Sequence, residues 1–500
     1  MIESHAETTA IRAGEILNII AAEAIVGESF DLVVIGSGFG SSFYLSEAVK
    51  HGLRRVLVVE WGGDHSHAWQ LEHGRNSAIS NKDTYHTNSD KPWNYTIAFG
   101  GGTNCWFAQT PRFHPNDFSL NSLYGVGEDW PLSYNELEPF YAEAEEMMSV
   151  SGDPAMATIM PRSKPFPQPP HRLTSADRLM KAAQPDRHFA MPTARARVPI
   201  QTRNACCASL RCQLCPADAK FTAQNGLKDL YAHPGVSLCL NTRATRFETT
   251  GDVVSALVLE HGGQEYRVRG DRYVLGANAI QSPGILLRSG MDHPRTGVGL
   301  HESFGAGVEV FLNGLDHFDG STITTGLNYQ LYDGPHRRES AAALIYFENR
   351  WTYGFRREHG RTRQTLPLVI VTEDLLRSEN CVVLEHASAS HPNVIFAGAS
   401  DYARRGLDRA LSLLPEVLAP LPIERIAFRG IRATESHLQG TLRMGRNPEA
   451  SVVDERQVHH RWRNLTVVGS AVFPSCSCAN PSLTVAALSL RAARLAVDGA

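Results

Sequence analysis

The stretch from Phe30 to Glu60 restricts the fold more than any other part of the chain. Phe30-Asp-Leu-Val-Val-Ile35 is an apolar run of strand length, Gly36-Ser-Gly38-Phe-Gly40-Ser41 follows directly, and Ser42 to His51 reads as helix. A second apolar run, Val56-Leu-Val-Val59, ends at Glu60. Strand, glycines, helix, strand and acid in this order form a βαβ unit of the dinucleotide-binding kind. Its glycines let the backbone approach a pyrophosphate at a helix N-terminus, and an acid about twenty residues on takes the ribose hydroxyls. Ser41 stands where a third Gly or Ala is usual. A Gly-rich strand-to-helix turn without a ligand accounts for the glycines, but not for Glu60.

At 500 residues the chain exceeds what one hydrophobic core usually organises, so two domains or one large interleaved unit are expected. With a net charge of -4 and no long like-charge block, neither nucleic acid nor an anionic membrane is an obvious partner, and a small neutral ligand fits better. The start, Met-Ile-Glu-Ser-His-Ala-Glu, lacks the positive region of a secretory signal. The apolar stretch from Ile16 to Ile25 is interrupted by Glu23, and no segment approaches membrane-spanning length. Residues 7–27 are therefore expected to form an amphipathic N-terminal helix, and the protein to be cytoplasmic unless a signal-bearing partner exports it. Pro161, Pro165, Pro167, Pro169 and Pro170 crowd a stretch that reads as a linker or surface excursion.

Nine cysteines, an odd number, argue against a disulfide framework. Cys206, Cys207, Cys212 and Cys215 nevertheless fall within ten residues, with Pro216 after the last. Buried free cysteines have no reason to cluster in this way. Three readings stay open: an iron-sulfur site, a structural zinc site made awkward by the adjacency of Cys206 and Cys207, and a metal-free, partly buried loop. Any ligands would be Cys206 or Cys207 together with Cys212 and Cys215.

Three further segments carry a family resemblance: Ala98-Phe-Gly100-Gly101-Gly102-Thr-Asn-Cys-Trp106, Val274 to Gly290, and the stretch from His437 onward. They resemble the glucose-methanol-choline oxidoreductases, a family of FAD enzymes, over most of the chain from Phe30 to Leu495 and least between about 310 and 425. The resemblance implies an α/β fold in which a Rossmann-like FAD-binding domain, residues 28–110, 200–305 and 430–500, is interleaved with a substrate domain. The latter, residues 111–199 and 306–429, would be built on an antiparallel sheet with helices, and residues 1–27 would stand apart. His437-Leu-Gln-Gly440-Thr441-Leu-Arg443-Met444-Gly445 and Asn480-Pro481-Ser-Leu-Thr484 match the family's patterns H-x-x-G-T-x-x-M-G and N-P-x-x-T.

By that resemblance His437 is the catalytic base and Asn480 its partner at the flavin. Gly36, Gly38, Gly40, Ser41, Glu60, Gly101, Gly102, Thr103, Asn104, Cys105, Ser470, Ala471, Pro481 and Thr484 would bind the cofactor. Oxidising an alcohol carbon removes a hydroxyl proton and a hydride, and an imidazole near neutrality can take the proton. Asn480 would hydrogen-bond the developing alkoxide. Many relatives have a second His there, so Asn480 leans toward the pyranose-oxidising branch. In that branch the position of Cys105 holds a His bonded covalently to the flavin; a Cys105 thiolate could add at the flavin's 8-methyl carbon instead, but noncovalent FAD is the expectation here. A final helix from Pro481 to Ala496 would aim its N-terminus at the flavin pyrimidine.

The cysteine segment resembles the cluster region of the family's membrane-associated sugar dehydrogenases, which carry a 3Fe-4S centre, with one residue fewer before the last cysteine. A cluster would pass single electrons to a cytochrome, a quinone or a small subunit; without it, oxygen or a soluble acceptor must serve. Tyr329, Tyr332, Tyr346, Phe347, Trp351, Tyr353 and Phe355 concentrate aromatic surface suited to a sugar ring or to sheet packing. The expected activity is oxidation of a secondary or anomeric hydroxyl of a sugar or glycoside. The alternatives are a lyase of the hydroxynitrile lyase type, which keeps FAD without using its redox chemistry, and a flavin subunit of a larger electron-transfer complex.

Overall fold

A computed structural model describes the chain over residues 17–350 and 354–498. The first strand, Ser29–Ile35, runs parallel to both its neighbours, Val56–Val59 and Gln264–Leu275. Val236–Cys239 extends this sheet beyond the second strand and Leu465–Val467 extends it beyond Gln264–Leu275, again in parallel. Leu32 to Ile35 and Val56 to Val59 are all buried, as expected of parallel strands covered on both faces. Arg243–Thr250 and Val253–His261 continue the sheet as an antiparallel meander leading into the first half of Gln264–Leu275. Helix Phe39–Lys50 packs against the closing helix, Ser482–Asp498. Because the five parallel strands share one direction, their carboxyl ends gather Gly36, Glu60, Gly276 and Gly469 along one edge.

A second sheet has six strands, and every pair is antiparallel. Its order is Ile423–Ile431, Phe304–Leu312, Thr365–Thr372, Ala343–Glu348, Thr324–Asn328 and His188–Ala190. Side chains alternate across a strand, so each central strand serves two layers. Ala343, Ile345, Phe347, Leu366, Leu368 and Ile370 join Leu407, Ala410 and Leu414 of helix Asp401–Val417 in a separate core. Leu344, Tyr346, Val369 and Val371 belong to the main core instead. Tyr346, Val369 and Val371 also reach a cavity between the two sheets.

The fold is thus the expected α/β arrangement of a Rossmann-like parallel sheet beside an antiparallel sheet with helices. The N-terminal helix is different where it can be followed. Residues 1–16 lie outside the described residues, and from Leu17 the chain is extended before one short turn, Ala22–Ile25. Its amide groups are taken by the sheet edge: Ile20 N–H donates to the Leu238 carbonyl at 3.0 Å, and Leu238 N–H to that of Asn18 at 2.8 Å. Trp351 and Tyr353 also lie outside the described residues. Residues 161–170, the proline-rich stretch, carry no helix or strand. No helix among the described residues is long and apolar enough to cross a membrane.

Candidate active site

A cavity of about 900 Å³ opens at the carboxyl edge of the parallel sheet and runs under the antiparallel one. Glycines build its inner end by letting loops approach too closely for any side chain. Gly36 has φ +88°, and a Cβ there would lie 2.7 Å from the Gly276 carbonyl oxygen. One on Gly40 would lie 2.7 Å from the Gly469 nitrogen, and one on Gly101 3.0 Å from Gly38 Cα. Helix Phe39–Lys50 starts at Gly38 with no side-chain cap and no acid in its first turn, so its positive end faces the cavity uncapped. A glycine cradle at an uncapped helix start fits a dinucleotide pyrophosphate.

Glu60 closes this end. Its carboxylate accepts from Ser37 N–H at 3.1 Å and Ser37 O–H at 2.7 Å, and from Gly62 N–H at 3.0 Å. Burial outweighs these bonds and pushes the carboxyl up from 4.5 to about 7. Beside it the Arg243 guanidinium lies 4.5 Å over the Trp61 ring. The raised value has a testable sign. Between about pH 4.5 and 7 the ligand-free folded protein keeps a proton on Glu60 that the unfolded chain has lost, so stability falls as pH rises through that window, by up to about 3 kcal/mol. Denaturation of ligand-free wild type and Glu60→Gln across this range is expected to show the wild type losing more stability as pH rises. Parallel curves would assign the proton elsewhere.

At the other end, residues 434–437 are fastened beside strand Phe304–Leu312 by one buried carboxylate. Glu302 accepts from the main-chain N–H of His437 at 3.1 Å and of Glu435 at 3.2 Å, and from the Thr434 hydroxyl at 3.0 Å. It also pairs with Lys91. His437 Nδ1 is 3.4 Å from the Ser303 hydroxyl, and its Nε2 is 3.2 Å from the amide nitrogen of Asn480. The amide oxygen of Asn480 accepts from the Tyr346 hydroxyl at 3.1 Å. Burial, with Arg432 and Lys91 adding positive charge, pushes the imidazole down to about 3, so the ring is neutral and able to accept a proton. With the Asn480 amide donating, the lone pair sits on Nε2 and the ring hydrogen on Nδ1. Pro481 and Ser482, at the start of the closing helix, also line the cavity.

Of the residues expected to bind the cofactor, Gly36, Gly38, Gly40, Glu60, Gly101, Gly102, Cys105, Ser470 and Pro481 line this cavity together with His437 and Asn480. Five lie behind its wall. Ser41 donates to the Ile35 carbonyl at 3.2 Å and so packs helix on strand, the job of the usual third glycine. Thr103 and Asn104 bond Gly100 and Phe99 within their own turn, Ala471 accepts from Leu442, and the Thr484 hydroxyl meets that of Tyr141 at 2.8 Å. Glu302 and Ser303 carried no motif in the sequence. Tyr346 stood out there only as one aromatic among several.

Cys206, Cys207, Cys212 and Cys215 do not converge. Among the described residues, no group of three or more His, Cys, Asp or Glu side chains is placed to hold a metal ion. Cys207 is exposed, while its neighbour Cys206 turns to the Thr322 hydroxyl at 3.6 Å. Cys215 Sγ accepts from Ala219 N–H at 3.3 Å, and burial pushes the Cys212 thiol up to about 11. Buried Lys220 pins the loop instead, donating to the carbonyls of Asn104, Trp106 and Gln213. Among the described residues the structure thus gives the 3Fe-4S and zinc readings no support, and it shows a loop tied down by Lys220.

Models of the GMC oxidoreductase family match residues 131–304 and 412–489. The chain is 31% identical to a 6'''-hydroxyparomomycin C oxidase of Streptomyces lividus, over 93% of this chain and 91% of that protein. It is 28% identical to a fructose dehydrogenase large subunit of Gluconobacter japonicus, over 93% of this chain and 97% of that one. In three dimensions it resembles a pyridoxine 4-oxidase from Mesorbium loti with a TM-score of 0.66 and 18% identity, covering 93% and 98% of the two chains. Sequence similarity along nearly the whole chain agrees with a glycine cradle suited to FAD facing a neutral histidine, and the chain belongs to the GMC oxidoreductase family.

Proposed function

We propose that this chain is an FAD-dependent oxidoreductase that oxidises a secondary or anomeric hydroxyl of a sugar or glycoside. The observation that carries the reading is the 3.2 Å contact of His437 Nε2 with the Asn480 amide, both facing the cavity that the Gly36–Gly40 turn and Glu60 close at its other end. Gly36, Gly38, Gly101, Gly102 and Glu60 would hold FAD, which when bound supplies a hydride acceptor. Neutral His437 takes the hydroxyl proton at Nε2. The Asn480 N–H donates to the substrate oxygen as negative charge grows there. Glu302 holds the histidine's main chain, and Ser303 and Asn480 hold its ring.

The wall opposite the parallel sheet combines an apolar platform, Tyr346, Val369 and Val371, with Glu348, Arg350, Arg432 and Glu435. Rings with many hydroxyls suit such a mixture. Relatives named for fructose and for a hydroxyparomomycin support a sugar or aminoglycoside substrate.

Anaerobic mixing of the purified holoprotein with a panel of sugars, amino sugars and glycosides tests this reading. At least one member is expected to bleach the oxidised flavin and yield the matching carbonyl product. A panel in which none does so would favour a lyase. Admitting air then separates two acceptors: reoxidation by oxygen makes the enzyme an oxidase, whereas flavin that stays reduced points to a partner subunit, in line with the large-subunit relative.

A further inference from the structure

We infer that Tyr346 is a positioning residue whose hydroxyl sets which end of the Asn480 amide faces His437, and so keeps Nε2 free to take a proton. The inference rests on His437 being the base. Tyr346 sits inside the antiparallel sheet, paired with Val369 on one side and Leu327 on the other, so its backbone has little freedom to shift. Its neighbours on the same strand, Ile345 and Phe347, are locked into the core under helix Asp401–Val417. Alternation then obliges Tyr346 to point into the cavity.

The phenol is a fixed donor. Burial holds its pKa well above the ordinary value, and Cys478, Tyr329, Glu435 and Glu348 push it the same way. Its single O–H faces two carbonyl-type oxygens, the Cys478 main-chain oxygen at 2.9 Å and Asn480 Oδ1 at 3.1 Å. Drawing Oδ1 toward the sheet turns the amino end toward the histidine, 3.2 Å from Nε2.

An amide has one donor end and one acceptor end, so its rotation by half a turn would present Oδ1 to Nε2. Only a ring protonated at Nε2 satisfies that arrangement, and such a ring already carries the proton it is meant to accept. Phenylalanine at position 346 keeps the ring packing but removes the donor that favours the productive orientation.

Two readouts separate positioning from packing, both on FAD-loaded protein checked for full flavin content. The first is free of turnover: histidine-selective nitrogen NMR, with the His437 signals assigned by their loss in His437→Ala. Wild type is expected to carry the ring hydrogen on Nδ1, and Tyr346→Phe to shift it toward Nε2. Asn480→Asp leaves Tyr346 in place but offers Nε2 only oxygens, and is expected to give the same shift.

The second readout is a double-mutant cycle on the rate of flavin reduction at saturating substrate. Tyr346→Phe is expected to lower that rate by about 10-fold or more with little change in KM, yet by less than about 2-fold when Asn480 is already alanine. Equal losses in both backgrounds, or an unmoved tautomer in Tyr346→Phe or Asn480→Asp, would overturn the inference. Full-speed flavin reduction in His437→Ala would instead show that the base itself is misassigned, whatever Tyr346 does.

Discussion

Replacing His437 with alanine is expected to leave FAD bound and to slow its reduction by substrate by about 10²- to 10⁴-fold, the range over which a positioned base acts. Retention is expected because the partners of His437 are Glu302, Ser303 and Asn480, none of which belongs to the glycine cradle. The visible spectrum of the purified variant checks the first half, and anaerobic rapid mixing checks the second. The wild-type ring adds a pH signature. Depressed to about 3, it stays neutral across the physiological range, so flavin reduction should not fall between about pH 8 and 5 through its protonation. A titration near the ordinary histidine value that vanished in His437→Ala would contradict the burial argument.

Replacing Arg337 with methionine is expected to destabilise the fold by about 3–5 kcal/mol, because two buried carboxylates lose their cation. Arg337 donates to Asp117 at 2.8 Å and to both oxygens of Glu373, at 2.6 and 3.1 Å. All three side chains are at most 2% exposed, so water cannot take the cation's place. The damage should reach the active site, since Asp117 also accepts from Tyr332 at 2.7 Å and from Ser477 at 2.9 Å, three residues before Asn480. Denaturant unfolding of the two proteins measures the loss. Adding Asp117→Asn and Glu373→Gln to Arg337→Met should recover much of it, because the cost lies in the unpaired charges more than in the missing contact. A loss below about 1 kcal/mol in the single variant would mean that the carboxylates find other partners.

What the sequence showed depended on how local each feature is. Ser29–Ile35, Phe39–Lys50, Val56–Val59 and Glu60 were legible because strand, turn, helix and acid follow one another within about thirty residues, and each step has its own pattern. His437 and Asn480 were legible only through motifs, and their contact spans 43 positions that no periodicity connects. Glu302, Ser303 and Tyr346 come from two other strands' neighbourhoods and had no signal beyond residue type. For the cysteine segment, closeness along the chain did not settle where the side chains point: Cys206 and Cys207 face different surroundings. The stretch around Leu17 to Ile25 has helical spacing, yet hydrogen bonds to the Leu238 strand outweigh a short helix that would be marginal on its own.

The most direct test of the central claim is the single-turnover rate of flavin reduction with a sugar deuterated at the carbon that bears the reacting hydroxyl. If that carbon gives up a hydride in this cavity while His437 takes the hydroxyl proton, deuteration slows reduction several-fold in the wild type. Equal rates with the protiated and deuterated sugar, or product formed with the flavin oxidised throughout, would contradict it.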